Sequence, residues 1–198
     1  MDVANWDAGL RIVDISDPAN PVELGGWNDF PDGHEGNLHT VATEWIGDRR
    51  ITVGTVEVGF AVVGGYHYAM GSDRSILYVW DTTDPANIQL VGQWENPRGE
   101  PSGRDMVPGE GVTSTHNFQL EQGRVYLAHY GLGVFVLDVA TSATQAAPAL
   151  LAYHQEPGDS VWDVVLVRGA LVSSGSVGLV ALHYMPDLLG PGGLDSRA

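Results

Sequence analysis

The chain has 198 residues, 43% of them hydrophobic, with six Trp and seven Tyr: enough to bury a core, and too apolar for a disordered segment. Its 25 acidic residues face only nine basic ones, for a net charge of −16, which repels nucleic acid and anionic membrane surfaces. There is no cysteine, which excludes disulfides and thiolate metal sites, and no apolar run near the ~18 residues of a membrane span.

Taken in chain order, the elements are short β-rich runs punctuated by Gly, Pro, Asn and Asp. Met1 to Trp6 (MDVANW) reads as a strand, and GLRIVD from Gly9 as another. Asp14 to Trp27 (DISDPANPVELGGW) then turns at Asp17-Pro18 and runs out to a tryptophan. Asp29 to His39 (DFPDGHEGNLH) is an acidic, His-bearing loop. Four runs follow, Leu38 to Glu44, Arg50 to Glu57, Ile76 to Asp81 and Ile88 to Trp94, with loops expected around Gly64 to Arg74 and from Asn96 to Val112. The third unit has His116 to Leu120, Arg124 to His129, Val134 to Val139 and Ala149 to His154. The last has Trp162 to Val167, Ala170 to Ser174 and Gly178 to Tyr184, and from Pro186 the chain reads as a tail. No stretch keeps a helical apolar period for three turns, so the class is all-β.

The chain also repeats itself. Asp81 to Trp94 (DTTDPANIQLVGQW) matches Asp14 to Trp27 without a gap at seven of fourteen positions, and looser copies start at Gly133 and Gly178. Asp14, Asp81, Asp138 and His183 mark the period, at spacings of 67, 57 and 45 residues. The shortest matches the ~40–50 residues of a propeller blade, whose face must be covered by a neighbour. The reading is therefore a β-propeller, or a propeller fragment, of about four four-stranded antiparallel blades near 1–28, 36–95, 114–155 and 160–185, with 186–198 as tail. It is incomplete at both ends: by alignment with Val125 to Tyr130, Met1 to Trp6 is a second strand, and the last blade lacks its outer one. Asp17 and Asp84 are expected to accept backbone N–H bonds while Pro18 and Pro85 preset the turn; Asp14, Asp81 and Asp138 read as turn caps.

Chemistry-bearing residues gather at one end. His39 and His116 open the first strands of their blades, and Trp162 holds that place in the fourth. First strands line a propeller's channel, so His39 and His116 are candidate ligands for Cu, Zn or Fe, with His34 or Glu35 as a third donor. His67 and His129 each precede a tyrosine and are read, with Trp162, as walls of the same mouth. The competing reading is that these histidines only bond neighbouring backbone and that the acidic loop is solvated. No nucleophile elbow, P-loop, zincin or EF-hand spacing is present, so no catalytic residue is assigned. All nine basic residues are Arg, which fits both a salt-adapted surface and a GC-rich genome.

The runs GLRIVDISDPANPVELGGW and ILYVWDTTDPANIQLVGQW resemble the LVIVD repeat of bacterial and archaeal propeller-like proteins, which are often exported. The third copy departs from it, with ATSAT at Ala140 in place of Asp-Pro, and the fourth keeps only Gly-Leu-Val. A more distant similarity is to the selenium-binding, methanethiol oxidase-type propellers. It implies a metal-ligand role at positions such as His39, His116 and His129. The expectation drawn from all this is a non-catalytic module, extracellular or at the cell surface although no signal peptide is visible. It binds a protein or glycan partner through loops at the channel mouth, and its ends meet the remainder of a longer propeller. The alternative is a metal-dependent oxidoreductase or hydrolase with a His-ligated metal at that mouth.

Overall fold

The middle strands are apolar at nearly every position, ILYVW from Ile76 and VYLA from Val125, where a half-buried strand would alternate. The computed structural model shows the cause: those strands are covered on both faces. It describes residues 1–30, 36–57, 60–63, 66–69, 76–95, 106–107, 111–112, 114–140 and 147–183, with side chains for all of these except 60–63, 66–69, 106–107 and 111–112.

The strands are β1 (Asp2–Ala4), β2 (Leu10–Asp14), β3 (Val22–Trp27), β4 (Leu38–Ile46), β5 (Arg49–Val56), β6 (Phe60–Val63), β7 (Tyr66–Ala69), β8 (Ile76–Asp81), β9 (Gln89–Glu95), β10 (Met106–Val107), β11 (Gly111–Val112), β12 (Phe118–Glu121), β13 (Arg124–His129), β14 (Gly133–Asp138), β15 (Ala149–His154), β16 (Val161–Val167), β17 (Ala170–Gly175) and β18 (Gly178–Leu182). They form four antiparallel meanders, β1-β2-β3, β4-β5-β8-β9, β12-β13-β14-β15 and β16-β17-β18, plus the small hairpins β6-β7 and β10-β11. No α-helix occurs among the described residues, and none is long and apolar enough to cross a membrane. The first strands sit side by side, β4 beside β12 and β12 beside β16, with β1 against β4. This is the blade arrangement of a β-propeller, and among the described residues the sheets do not close into a ring. The hairpin β6-β7 corrects the reading of its segment as loop: Tyr66–Ala69 is a strand paired antiparallel with Phe60–Val63.

Three apolar cores fill the spaces between consecutive sheets. Tyr78, Trp80, Ile76 and Val56 of the second sheet face Leu10 and Trp27 of the first. On the opposite face, Leu77, Val79, Ile51 and Val53 meet Leu127, Phe135 and Leu137 of the third. Tyr126, Ala128, Val134 and Val136 then turn from the third sheet to Val161, Val164, Leu171 and Leu182 of the fourth. Successive side chains of one strand point to opposite faces, so each strand supplies two cores at once.

The repeat is kept at atomic detail. The register slips at Ile12/Val13, Val79/Trp80 and Val136/Leu137, which are the same place in three sheets, offset by the 67 and 57 residues of the sequence period. Asp14, Asp81 and Asp138 each accept the N–H two residues on, from Ser16, Thr83 and Ala140, at 2.8, 2.9 and 2.9 Å. Asp17 and Asp84 do the same for Ala19 and Ala86, both at 3.1 Å. The turn made by Asp84 and Pro85 also presses on the blade before it: a Cβ at Gly25 would fall on the carbonyl oxygen of Pro85. Gly25→Ala is therefore expected to cost about 1–3 kcal/mol, read as a lower urea midpoint at unchanged slope.

Candidate functional site

The inner ends of the second and third sheets meet at one edge of the channel. His39 is the second residue of β4, and His116 lies two residues before β12, anchored by its N–H to the Ala128 carbonyl at 3.0 Å. Because β4 and β12 are neighbours, the two imidazoles come within 4.4 Å, centroid to centroid. Glu57 stands just beyond β5, its N–H bonded to the Asn37 carbonyl at 3.0 Å, and its carboxylate reaches between them. Oε2 is 3.5 Å from His39 Nε2, and Oε1 is 3.7 Å from His116 Nε2. Donor atoms of His39, Glu57 and His116 all lie within 4.8 Å of one another.

The outer partners decide which nitrogens are free. His116 Nδ1 is 2.6 Å from the Trp162 carbonyl, which only accepts, so Nδ1 carries a proton and Nε2 is the nitrogen turned to Glu57. His39 Nδ1 is 2.9 Å from Thr40 Oγ1, and that hydroxyl donates to Asn117 Oδ1 at 2.8 Å. Thr40 thus accepts from His39 Nδ1, and His39 Nε2 is turned to Glu57 as well. Burial, countered by Glu57 and reinforced by His116, holds the His39 pKa below its ordinary value, so the ring stays neutral near pH 7. Tyr130 donates its phenol to Glu57 Oε1 at 2.5 Å; burial first and that carboxylate second raise its pKa, so the proton stays on the phenol. Two imidazole Nε2 atoms and one carboxylate therefore converge, at distances too long for direct hydrogen bonds.

Aromatic rings flank this set. Trp6 lies 5.8 Å from His39 and Tyr130 lies 5.0 Å from His116. Trp6, Glu57 and Tyr130 hold one repeat position, just past the second strand of their sheets, as the pairings Asp2↔Ile12, Ile51↔Asp81 and Arg124↔Asp138 show. Trp6 and Tyr130 share a left-handed backbone, φ 46° and 29°, and each pairs with the first strand of the next sheet, at Leu38 and Val161. An open cleft of about 430 Å³ between the first two sheets reaches the set from the Trp6 side.

Of the residues singled out from sequence, His39 and His116 are brought together. Trp162 is beside them through its backbone, accepting from His116 Nδ1 and from the Asn117 N–H, while its side chain is 43% exposed. His34 and Glu35 lie outside the described residues. His67 belongs to β7, in the separate hairpin and not at the end of the second blade strand, and its side chain is outside the described set. His129 is the clear correction: it is 1% exposed, packed on Phe135 at 5.6 Å, and neither ring nitrogen has a partner among the described residues. Alternation along β13 turns it into the core, so it offers no surface to a ligand. Sequence reasoning missed Glu57, although it ends the run RITVGTVE at the position that Tyr130 holds one blade later.

Residues 3–29 match the family model of the LVIVD repeat. No curated protein matches the chain. Among solved structures, the computationally designed Ika8 protein is similar in fold, with a TM-score of 0.55, 15% identity, and 92% of this chain on 42% of that one. A mutant of the GH43 protein BlXynB from Bacillus licheniformis aligns with a TM-score of 0.46 and 9% identity, over 100% of this chain and 38% of that one. The chain thus spans less than half the length of either.

Proposed function

We propose that this LVIVD-repeat β-propeller chain is a metal-binding module, holding one divalent transition metal through His39 Nε2, His116 Nε2 and the Glu57 carboxylate. The observation that carries the reading is the convergence of three metal-ligating groups within 4.8 Å of one another, with both imidazole Nδ1 atoms bonded on the outer side. Nothing in the fold requires this arrangement, since each imidazole already satisfies its N–H on the other side. A two-His, one-carboxylate set with open positions suits iron(II), and the same donors also take zinc or copper. Bound there, the ion would supply Lewis-acid or redox chemistry, in the class of a metal-dependent oxidoreductase or hydrolase. Thr40, Asn117 and the Trp162 carbonyl hold the imidazoles in the ligating tautomer, and Tyr130 fixes the carboxylate.

Metal analysis after anaerobic loading with iron(II), zinc(II) and copper(II) tests this, with one equivalent per chain expected. His116→Ala and Glu57→Gln should each lower affinity by more than the ~10–100-fold typical of an outer-shell partner. Equal uptake by these variants and the parent would sink the reading. The exposed indoles of Trp6, at 47%, and Trp162 favour a second reading: a non-catalytic face, exported or at the cell surface, that takes a protein or glycan partner at the same mouth.

A further inference from the structure

We infer that the cleft beside this donor set takes a flat six-membered ring bearing two adjacent oxygen donors, a catechol-type ligand, with its ring against Trp6 and its oxygens directed to the metal. The inference rests on the metal-binding reading above and adds the class of molecule that the site receives. The cleft is bounded by Ala4, Asn5, Trp6, Leu38, His39 and Glu57, so it reaches two of the three donors directly.

Trp6 is the informative wall. Its side chain is 47% exposed, and for a bulky residue the left-handed φ of 46° is a strained conformation. The backbone nonetheless holds it on every side. The Trp6 N–H bonds the Leu38 carbonyl at 3.1 Å, and the Leu38 and Gly9 N–H groups bond the Trp6 carbonyl at 3.3 and 2.9 Å. A large apolar ring is thus carried on a pinned backbone, half in solvent and 5.8 Å from the His39 ring. The adjoining wall is mixed, with Ala4 apolar and Asn5, His39 and Glu57 polar, which suits a ring that carries oxygens at one edge.

Polar chemistry narrows the class further. Among the described residues no Arg lines the cleft, so a free carboxylate or phosphate finds no cationic partner in that part of its wall, and negative oxygens are balanced there at the metal. Three protein donors leave positions open on a four- to six-coordinate ion, and two vicinal oxygens fill two of them from one rigid ring. Glu57 Oε1 already accepts from Tyr130, and among the described lining residues Asn5 is the only amide, so a polyhydroxylated sugar would leave most of its hydroxyls unmatched by them.

The probe is 4-nitrocatechol, titrated by its visible absorbance into protein loaded with redox-silent zinc(II), after metal analysis has confirmed one retained equivalent. Saturable binding is expected. Removing the metal should abolish it, and 4-nitrophenol, with one oxygen, should bind at least about ten-fold more weakly. Trp6→Ala should keep its zinc but lose about ten-fold in affinity for the probe, the contribution of one ring contact. Trp45→Ala, an exposed side chain at the far end of β4 and absent from the cleft lining, should change nothing. Zinc retained with no binding of nitrocatechol, equal affinity in Trp6→Ala, or equally tight binding of methyl glucoside would overturn the inference and leave the metal reading standing. Failure to take up zinc, iron or copper would overturn both.

Discussion

Trp94→Ala is expected to destabilise the protein by about 3–5 kcal/mol, seen as a large drop in the urea midpoint. Trp94 is the penultimate residue of the outer strand β9, is 6% exposed, and meets the Phe135 ring of the next sheet at 5.5 Å. Trp27, its repeat partner, ends β3 and meets Tyr78 and Trp80 of its next sheet at 5.4 and 5.1 Å. Phe135 and Tyr78 are themselves one repeat apart, three residues before Asp138 and Asp81. Each outer strand therefore inserts an indole into the aromatic third strand of its neighbour, and the contact joins sheets that share few backbone bonds. Truncation opens a cavity between two rigid faces that cannot close without moving a blade. Trp45, 63% exposed, is the internal control, and Trp45→Ala should stay within about 0.5 kcal/mol of the parent. Similar losses at Trp94 and Trp45 would mean that the inter-sheet contact contributes little.

Acid should unfold the protein through His129. Burial without a partner for either nitrogen lowers its pKa from 6.5 to about 4. Between those values the unfolded chain binds a proton that the folded chain does not, so stability falls as pH drops from 6.5 towards 4 and is unaffected above 6.5. The span of about two and a half pH units corresponds to about 3 kcal/mol. His129→Leu removes this titration and the two unpartnered nitrogens. The variant should match or exceed the parent at pH 7 and lead it by roughly 3 kcal/mol near pH 4. Carboxylates titrate equally in both proteins, so the difference isolates the histidine. Parallel stability curves for parent and variant would show that His129 is not the acid-sensitive group.

The fold was legible because its information is local and repeated. DPAN followed by a run to tryptophan appears twice, and the β-bulge, the Asx turns and the indole contacts all recur with it. His39 and His116 were legible for the same reason, as equivalent residues on adjacent first strands. Glu57 was not, since its contacts to Tyr130 and His116 span 73 and 59 residues (130 less 57, 116 less 57) and no short motif encodes them. His129 was misread because only alternation along β13 separates a core-facing residue from a mouth-facing one, and a shift of one position reverses the outcome. The β6-β7 hairpin was masked by glycines that read equally well as loop.

Trp6, Glu57 and Tyr130 occupy one position in three successive blades, and their chemistry differs completely, although Trp6 and Tyr130 share one backbone conformation. The scaffold's stability rests in the cores between sheets, which none of the three side chains fills. That position behaves as a socket wired once per repeat to a shared chamber: an indole, a carboxylate and a phenol are plugged in side by side. A propeller built this way can alter what its mouth recognises by exchanging single residues, without renegotiating how its blades hold together.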